Sequence, residues 1–332
     1  MPPMTNVLPT AQDVDAAYER LCDWLVDTPV LESELLNQRA GTRVLLKAEC
    51  LQHAGSFKIR GALNRLLQLS FAERSAGVVA FSSGNHAQSV ALAAKWLGIR
   101  ATVVMPADAP KIKQLSARGW GAEVVLYDRE REDRERIAIR IAEQRGAALI
   151  PPFDHPHVIA GQGTVALELA RAARARKLTL DALYVPCSGG GLVAGSALAI
   201  EPLFDACAVY AVEPEAYNDT QRSLAAGERR MLEARAVTIC DALRAPAPGA
   251  ITFAINRRQL AGAVTVNDAQ VLHAMSLAVR QLKVVVEPSG AAGLAAVLKE
   301  SQRGRKCVGV VLSGGNVDPD MLTSALTTYP DV

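Results

Sequence analysis

The sequence predicts an α/β protein built on mostly parallel sheets, and three observations carry that prediction. Short apolar runs alternate with segments of helical periodicity along most of the chain, the pattern of parallel strands joined by crossover helices. Glycine-rich loops follow several of the apolar runs and precede helices. The composition is 50% hydrophobic but only 5% aromatic, which suits an aliphatic interior of Ala, Val and Leu. At 332 residues the chain buries a large core and has room for two domains.

Taken in order, Val14, Ala17, Tyr18, Leu21 and Leu25 recur at helical spacing over residues 11–26, with Thr10 as cap and Thr28-Pro29 as stop. Residues 43–49 read as a strand leading into a loop that ends at Lys58. A compact series follows: strand 77–81, helix 87–97, strand 101–105, helix 110–118, strand 123–127, helix 133–145 and strand 148–150. Pro151-Pro152 closes this series, and a second region begins near there. In it, Gly161-Gln162-Gly163-Thr164 opens a helix over 164–175, and residues 182–185 form a strand. A glycine loop and a helix to about 200 come next, then strand 209–212, ending at Glu213-Pro214. Residues 214–265 look long and irregular. Asn267-Asp268 caps a helix over 268–282, Ser289-Gly290 starts another, and residues 308–312 are the last strand.

Charge and cysteine usage narrow the function classes. The formal charge of +2 gives no reason to expect nucleic acid or an anionic membrane as partner. The six cysteines are scattered without zinc spacing, mostly in apolar contexts, and read as reduced thiols of a cytoplasmic protein. Residues 1–10 lack the basic start and apolar core of a signal peptide. Residues 182–200 carry no charge and nominally reach membrane-spanning length, but Pro186 and Ser188-Gly189-Gly190-Gly191 break them into strand, loop and helix.

Lys58 stands at a helix start among apolar neighbours, after Gly55-Ser56. Desolvation and the positive end of the helix both disfavour its ammonium form, which suits an amine nucleophile of the Schiff-base type. Ser188-Gly189-Gly190-Gly191-Leu192 follows a strand and opens a helix, so backbone N–H groups and the helix dipole converge on an anion. It has neither the dinucleotide GxGxxG spacing nor the Gly-Lys-Ser/Thr of a nucleotide loop, which leaves a single small phosphate. Ser188 does not sit in GxSxG, which argues against a hydrolase nucleophile.

The motifs Ser56-Phe57-Lys58-Ile59-Arg60-Gly61-Ala62, Ser82-Ser83-Gly84-Asn85-His86, Ser188-Gly189-Gly190-Gly191-Leu192 and Ser313-Gly314-Gly315-Asn316 occur in that order. Together they resemble the pyridoxal-phosphate enzymes of the threonine dehydratase and serine racemase family, of tryptophan synthase β-like fold type II. The resemblance covers about Thr28 to Asn316. It implies two domains, each an open, mostly parallel twisted sheet flanked by helices, with the cofactor in the cleft between them. Residues 1–65 and 154–332 would form the large cofactor-binding domain and 66–153 the small substrate-gripping one.

The same resemblance assigns roles. Lys58 carries pyridoxal 5′-phosphate and takes the α-proton. Phe57, Asn85, Ser313 and the loop from Ser188 through Gly189, Gly190 and Gly191 to Leu192 hold the cofactor, Asn85 at the ring hydroxyl and Ser313 at the ring nitrogen. A serine there leaves the ring a weaker electron sink than an aspartate would, which suits β-elimination. Ser82, Ser83 and Gly84 grip the substrate carboxylate, with His86 beside them. Ser83 also faces the other side of the α-carbon, so racemization is an alternative reaction on the same scaffold. Glu213 and Asp219, with the Tyr217 carbonyl, offer hard oxygen ligands of the kind Mg²⁺ or Ca²⁺ takes, or else form a plain acidic turn. Related racemases carry a divalent site there, so Mg²⁺, Ca²⁺ or Mn²⁺ is implied.

The expected activity is dehydration and deamination of a β-hydroxy amino acid to a 2-keto acid and ammonia, with L-serine, L-threonine and 3-hydroxyaspartate as candidate substrates. Every residue from Asp128 to Arg136 is charged, which by itself reads as a solvated face. Arg134-Glu135 nevertheless align with an Arg-Glu pair near the substrate mouth of serine racemase-like members. This raises 3-hydroxyaspartate, whose second carboxylate Arg134 would bind. Family habit implies a homodimer. Cys240-Asp241-Ala242 departs from the common Ala-Asp-Gly, placing a side chain where glycine is usual. β-Replacement and a non-catalytic binding role are the remaining alternatives.

Overall fold

The computed structural model describes residues 7–330 except 83, 109, 110, 129, 234–236, 301 and 303, and only the backbone at 111–113. In chain order the elements are α1 (Ala11–Leu21), β1 (Val30–Leu31), α2 (Glu34–Ala40), β2 (Arg43–Ala48), α3 (Lys58–Leu67), α4 (Phe71–Ala76), β3 (Val78–Phe81) and α5 (Asn85–Trp96). There follow β4 (Ala101–Pro106), α6 (Lys111–Gly119), β5 (Glu123–Tyr127), α7 (Arg134–Arg145), β6 (Ala148–Leu149), α8 (Pro156–Ala175), β7 (Ala182–Pro186), α9 (Gly191–Ile200) and β8 (Ala208–Pro214). The last are α10 (Asp219–Ala226), α11 (Ala250–Gln259), β9 (Gly262–Val266), α12 (Asp268–Leu277), α13 (Pro288–Lys299), β10 (Cys307–Leu312) and α14 (Pro319–Thr328).

The chain divides into two compact units, one comprising the chain through Phe57 and from Phe153 onward, the other running from Lys58 to Pro152. The first boundary falls at Phe57/Lys58 rather than 65/66 because α3 packs on α5, a helix of the smaller unit. The larger unit holds a sheet in the order β1-β2-β10-β7-β8-β9, parallel except for β1. The smaller unit holds the parallel sheet β5-β4-β3-β6.

Both sheets are aliphatic because both of their faces are covered. In the larger unit, Leu46, Tyr184 and Val310 join the buried layer that includes α12 and α13, while their chain neighbours Leu45, Leu183 and Val311 join the layer of α8 and α9. This is the strand's two-residue alternation, used on two apolar faces at once. Each such Leu or Val contributes about 1.5–3 kcal/mol by leaving water.

The uncharged stretch 182–200 is β7, the glycine loop and α9, and every residue of α9 is buried. Among the described residues no helix is long and apolar enough to cross a membrane.

Several elements depart from the sequence expectation. The helix expected at 164 begins at Pro156, capped by His155. Gly163 within it answers to packing: a Cβ there would lie 2.6 Å from the Gly195 carbonyl oxygen of α9. The stretch expected to be irregular contains α10, α11 and β9. The helix expected to reach 282 ends as α-helix at Leu277 and continues as a π-helical turn, Ala278–Leu282, stopped by Lys283 in left-handed conformation.

β2, which leads towards Lys58, is anchored by a buried ion pair. Lys47, fully buried, donates to Glu168 of α8 at 2.6 Å, to the Thr28 carbonyl at 2.6 Å and to Asp27 at 3.3 Å. Removing one partner of a buried pair strands the other's charge, so Lys47→Ala is expected to cost about 3–5 kcal/mol of stability in denaturant unfolding. Lys47→Met together with Glu168→Leu should recover most of it.

Candidate active site

In a parallel sheet the loops at the carboxyl ends of the strands gather on one edge, where such proteins bind ligands. In the larger unit four neighbouring strands, β2, β10, β7 and β8, deliver the residues singled out in the sequence. β2 runs on towards Lys58, β10 into Ser313, β7 into Ser188–Leu192, and β8 carries Glu213 at its end.

The segment before Lys58 is stitched to the turn after β10. The Phe57 N–H donates to the Ser313 carbonyl at 3.1 Å and the Gly315 N–H to the Gly55 carbonyl at 2.9 Å. The Asn316 amide donates to the Ala54 carbonyl at 2.8 Å. Ser56 and Gly314 pair as an antiparallel bridge, and Phe57 packs against the core of the larger unit. The first and last of the four motifs are thus one piece of structure. Ser313 is 4% exposed.

The glycine loop fits a phosphate. Gly190, at φ +95°, is the N-cap of α9, and no side chain caps that helix, so its first amides remain available to an anion. The loop has no room for side chains: a Cβ on Gly189 would fall 2.4 Å from the Phe153 ring, and one on Gly190 2.8 Å from Asn256 Nδ2. From beneath, Thr252 Oγ1 donates to the Gly189 carbonyl at 2.6 Å, and the α11 that carries it is capped by Asp154, which accepts from the N–H groups of Ala250, Ile251 and Thr252. Asn256 is fully buried, and its amide has no hydrogen-bond partner among the described residues. Phe153, Asp154, Thr252 and Asn256 carry no motif, and the sequence reading missed them. The only cue is Phe153-Asp154 directly after the proline pair.

In the smaller unit, Lys58 is the first residue of α3, half-buried, and its Nζ donates to the Pro152 carbonyl at 2.8 Å. Ser82 and Gly84 leave the carboxyl end of β3, and Asn85 and His86 open α5. Ser83 lies outside the described residues. His86 is buried, and its Nε2–H donates to the Ile150 carbonyl at 2.9 Å. Burial, and then the nearby Lys58 charge, push its pKa down to about 3, so it is neutral and serves as a strut between α5 and the end of β6.

Part of the charged run is tied up locally. Asp128 pairs with Arg131 at 3.6 Å, and Asp133 caps α7. Arg134 differs: its guanidinium stands 5.9 Å from the centre of the Phe81 ring, the last residue of β3, beside Ser82.

Glu213 and Asp219 are both buried. Glu213 accepts the N–H groups of Thr220 at 2.8 Å and Gln221 at 2.9 Å, whereas neither oxygen of Asp219 has a partner among the described residues. Burial pushes both carboxyls up, Glu213 to about 7 and Asp219 to about 8, the latter also through the Glu213 charge. Two buried acids, one of them with bare oxygens, fit a divalent cation. Among the described residues no group of three His, Cys, Asp or Glu side chains could hold a metal. Ala242, where the family often has glycine, lies in a short 3-10 turn and is not among the positive-φ residues, so its side chain costs no backbone strain.

These features define a pyridoxal-phosphate enzyme of parallel α/β architecture. The profile of the pyridoxal-phosphate dependent enzyme family matches residues 22–314, and the chain belongs to that family. It is 46% identical to L-threo-3-hydroxyaspartate ammonia-lyase of Saccharomyces cerevisiae, over 94% of this chain and 94% of the relative. It is 45% identical to serine racemase of Schizosaccharomyces pombe, over 94% and 95%. The crystal structure of serine racemase from Dictyostelium discoideum superposes with a TM-score of 0.87 at 39% identity, covering 93% of this chain and 99% of that one.

The acid pair sets a pH dependence. A carboxyl raised in the fold keeps its proton to higher pH than the unfolded chain does, so its stabilisation is full below the ordinary carboxylate range. It is lost as pH rises through about 7 for Glu213 and about 8 for Asp219. In a chelator, the thermal midpoint should fall across this range, and Asp219→Asn should flatten the fall; identical pH profiles for the two proteins would contradict it.

Proposed function

We propose that the protein is an ammonia-lyase that converts a β-hydroxy amino acid to a 2-keto acid and ammonia, with 3-hydroxyaspartate as preferred substrate. The observation that carries the substrate is Arg134, a cation held over Phe81 beside Ser82 at the carboxyl end of β3. The similarity to a 3-hydroxyaspartate ammonia-lyase agrees with it.

Pyridoxal phosphate, when bound, supplies an electron sink that acidifies the substrate α-C–H. In this reading the N–H groups of Ser188 to Leu192 hold its phosphate, and Asn85 and Ser313 hold the two polar edges of its ring. Phe57 packs the chain before the lysine, and Ser313 offers a hydroxyl rather than a full charge to the ring nitrogen. Lys58 is the base: its amine removes the α-proton, and the β-hydroxyl leaves as water. Hydrolysis then returns one water and releases ammonia, so the net change is loss of ammonia. Ser82 and Gly84, with Ser83, bind the α-carboxylate, and Arg134 pairs with the second one.

A divalent cation, Mg²⁺ or else Ca²⁺ or Mn²⁺, held by Glu213, Asp219 and the Tyr217 carbonyl, belongs to the same reading and is supported by the bare oxygens of Asp219. A cytoplasmic homodimer completes it, in keeping with the family resemblance and with six cysteines that are all unpaired.

An Arg–carboxylate bond contributes about 1.5–3 kcal/mol, or roughly ten- to a hundredfold in specificity. Arg134→Ala should lower kcat/KM for L-threo-3-hydroxyaspartate by that factor in a keto-acid release assay and leave L-serine turnover unchanged. Equal losses on both substrates would refute the assignment.

The likeness to a serine racemase supports a second activity, in which Ser83 returns the proton to the opposite face. Ser83→Ala should then abolish D-serine formation from L-serine while keto-acid release persists, as chiral chromatography would read.

A further inference from the structure

A segment with two prolines, Arg244-Ala245-Pro246-Ala247-Pro248-Gly249, runs beside the glycine loop inside the larger unit. It holds that loop at two successive residues. The Ala245 N–H donates to Ser188 Oγ at 3.2 Å, and the Gly249 N–H donates to the Gly189 carbonyl at 3.1 Å. The segment is itself pinned at both prolines. The Leu232 N–H donates to the Pro246 carbonyl at 2.8 Å, and Arg229 Nε donates to the Pro248 carbonyl at 2.9 Å. Each proline locks its own φ, so the chain between these pins has few other conformations to visit. A serine hydroxyl accepts through its lone pairs and donates one proton. The Ala245 N–H takes a lone pair of Ser188 and so sets its rotamer, while the Ser188 O–H donates to no group among the described residues. The neighbouring hydroxyl of Thr252 differs, because its proton is already committed to the Gly189 carbonyl at 2.6 Å. Ser188 is half-buried, which leaves its proton within reach of a ligand.

We propose that residues 244–249 are a clamp that sets the Ser188 hydroxyl as a side-chain donor to the cofactor phosphate, and that Arg229 is a positioning residue acting through Pro248. This rests on the reading of the glycine loop as the phosphate site. A phosphate offers only acceptors on its oxygens, and a hydroxyl donating to a charged oxygen makes a stronger bond than one between neutral groups. The loop amides are fixed by the start of α9, whereas the direction of the Ser188 hydroxyl is fixed by a residue 57 positions further along the chain. Arg229 touches neither Ser188 nor Ala245 through any hydrogen bond of its side chain; it holds the carbonyl of Pro248, directly before the glycine that grips Gly189. Its influence on the phosphate therefore passes through the clamp.

The test uses apoprotein titrated with pyridoxal phosphate or with pyridoxal, which lacks the phosphate, read by visible absorbance. Binding of inorganic phosphate is read separately as a rise in thermal midpoint. Ser188→Ala should raise the Kd for pyridoxal phosphate about ten- to a hundredfold, the range of a hydrogen bond to a charged group. It should also shrink the phosphate-dependent thermal shift, while the Kd for pyridoxal stays within about twofold. Ser188→Gly removes the same hydroxyl and should give the same split, and it decides the matter if the alanine variant does not fold. Arg229→Met should raise the Kd for pyridoxal phosphate about two- to tenfold when Ser188 is present. Added to Ser188→Ala it should cost less than about twofold, because no hydroxyl is left to position. If the Ser188 variants weaken pyridoxal phosphate and pyridoxal by the same factor, or weaken neither, the hydroxyl is no phosphate ligand and the proposal is overturned while the loop reading stands. An equal cost of Arg229→Met with and without Ser188 would overturn the positioning role. If inorganic phosphate leaves the midpoint of the unaltered protein unchanged and pyridoxal binds as tightly as pyridoxal phosphate, the loop reading and the proposal fall together.

Discussion

The short antiparallel patch between residues 54–57 and 313–316 is the constraint on which the rest of the site depends. It consists of two backbone hydrogen bonds and one from the Asn316 amide, and it fixes the chain just before Lys58 against the turn that carries Ser313. Without it, a lysine at a helix start would be one more basic residue on a surface. With it, the entry to the lysine is set by the register of β2 on β10, where Leu312 sits beside Ala48. Backbone bonds of this kind are cooperative with the sheet they extend and leave little freedom in the loop between.

The order β2-β10-β7-β8 supplies the remaining geometry. Each of these strands delivers a different chemical group at its end, from the lysine approach and the Ser313 hydroxyl to a nest of amides and a buried carboxylate. Charge is arranged to match. The glycine loop presents backbone donors, while the acids of β8 and α10 are buried, Glu213 with bonds to backbone N–H groups and Asp219 with none among the described residues.

Much of the fold was legible in the linear pattern. Strands β3, β4, β5, β7 and β10 stand within a residue or two of their expected positions, because parallel strands buried on both faces leave short continuous apolar runs. The region 214–265 was not legible. α10 and α11 are short, and α11 buries Thr252, Phe253 and Asn256 beside the glycine loop rather than showing a clean apolar stripe. Gly161 and Gly163 misled in the opposite direction, reading as a helix start when Gly163 marks the close crossing of α8 and α9. In the site, the motif residues were visible, and their supports were not. Phe153, Asp154 and Asn256 act through contacts with residues distant in sequence, which no local spacing encodes.

The sequence by itself determined the architecture class, the four motifs in order and the family to which the chain belongs, because these rest on local periodicity and on residue types whose chemistry travels with them. Tertiary structure decided the rest. His86 became a neutral strut because burial keeps its ring uncharged and the Ile150 carbonyl accepts its Nε2–H. Arg134 was set apart within the charged run because the Phe81 ring lies beneath it. Glu213 and Asp219 became buried carboxyls that hold their protons to higher pH because the fold shuts water away from both of them. Each outcome turns on what faces a side chain across space, and that is set by packing rather than by position along the chain.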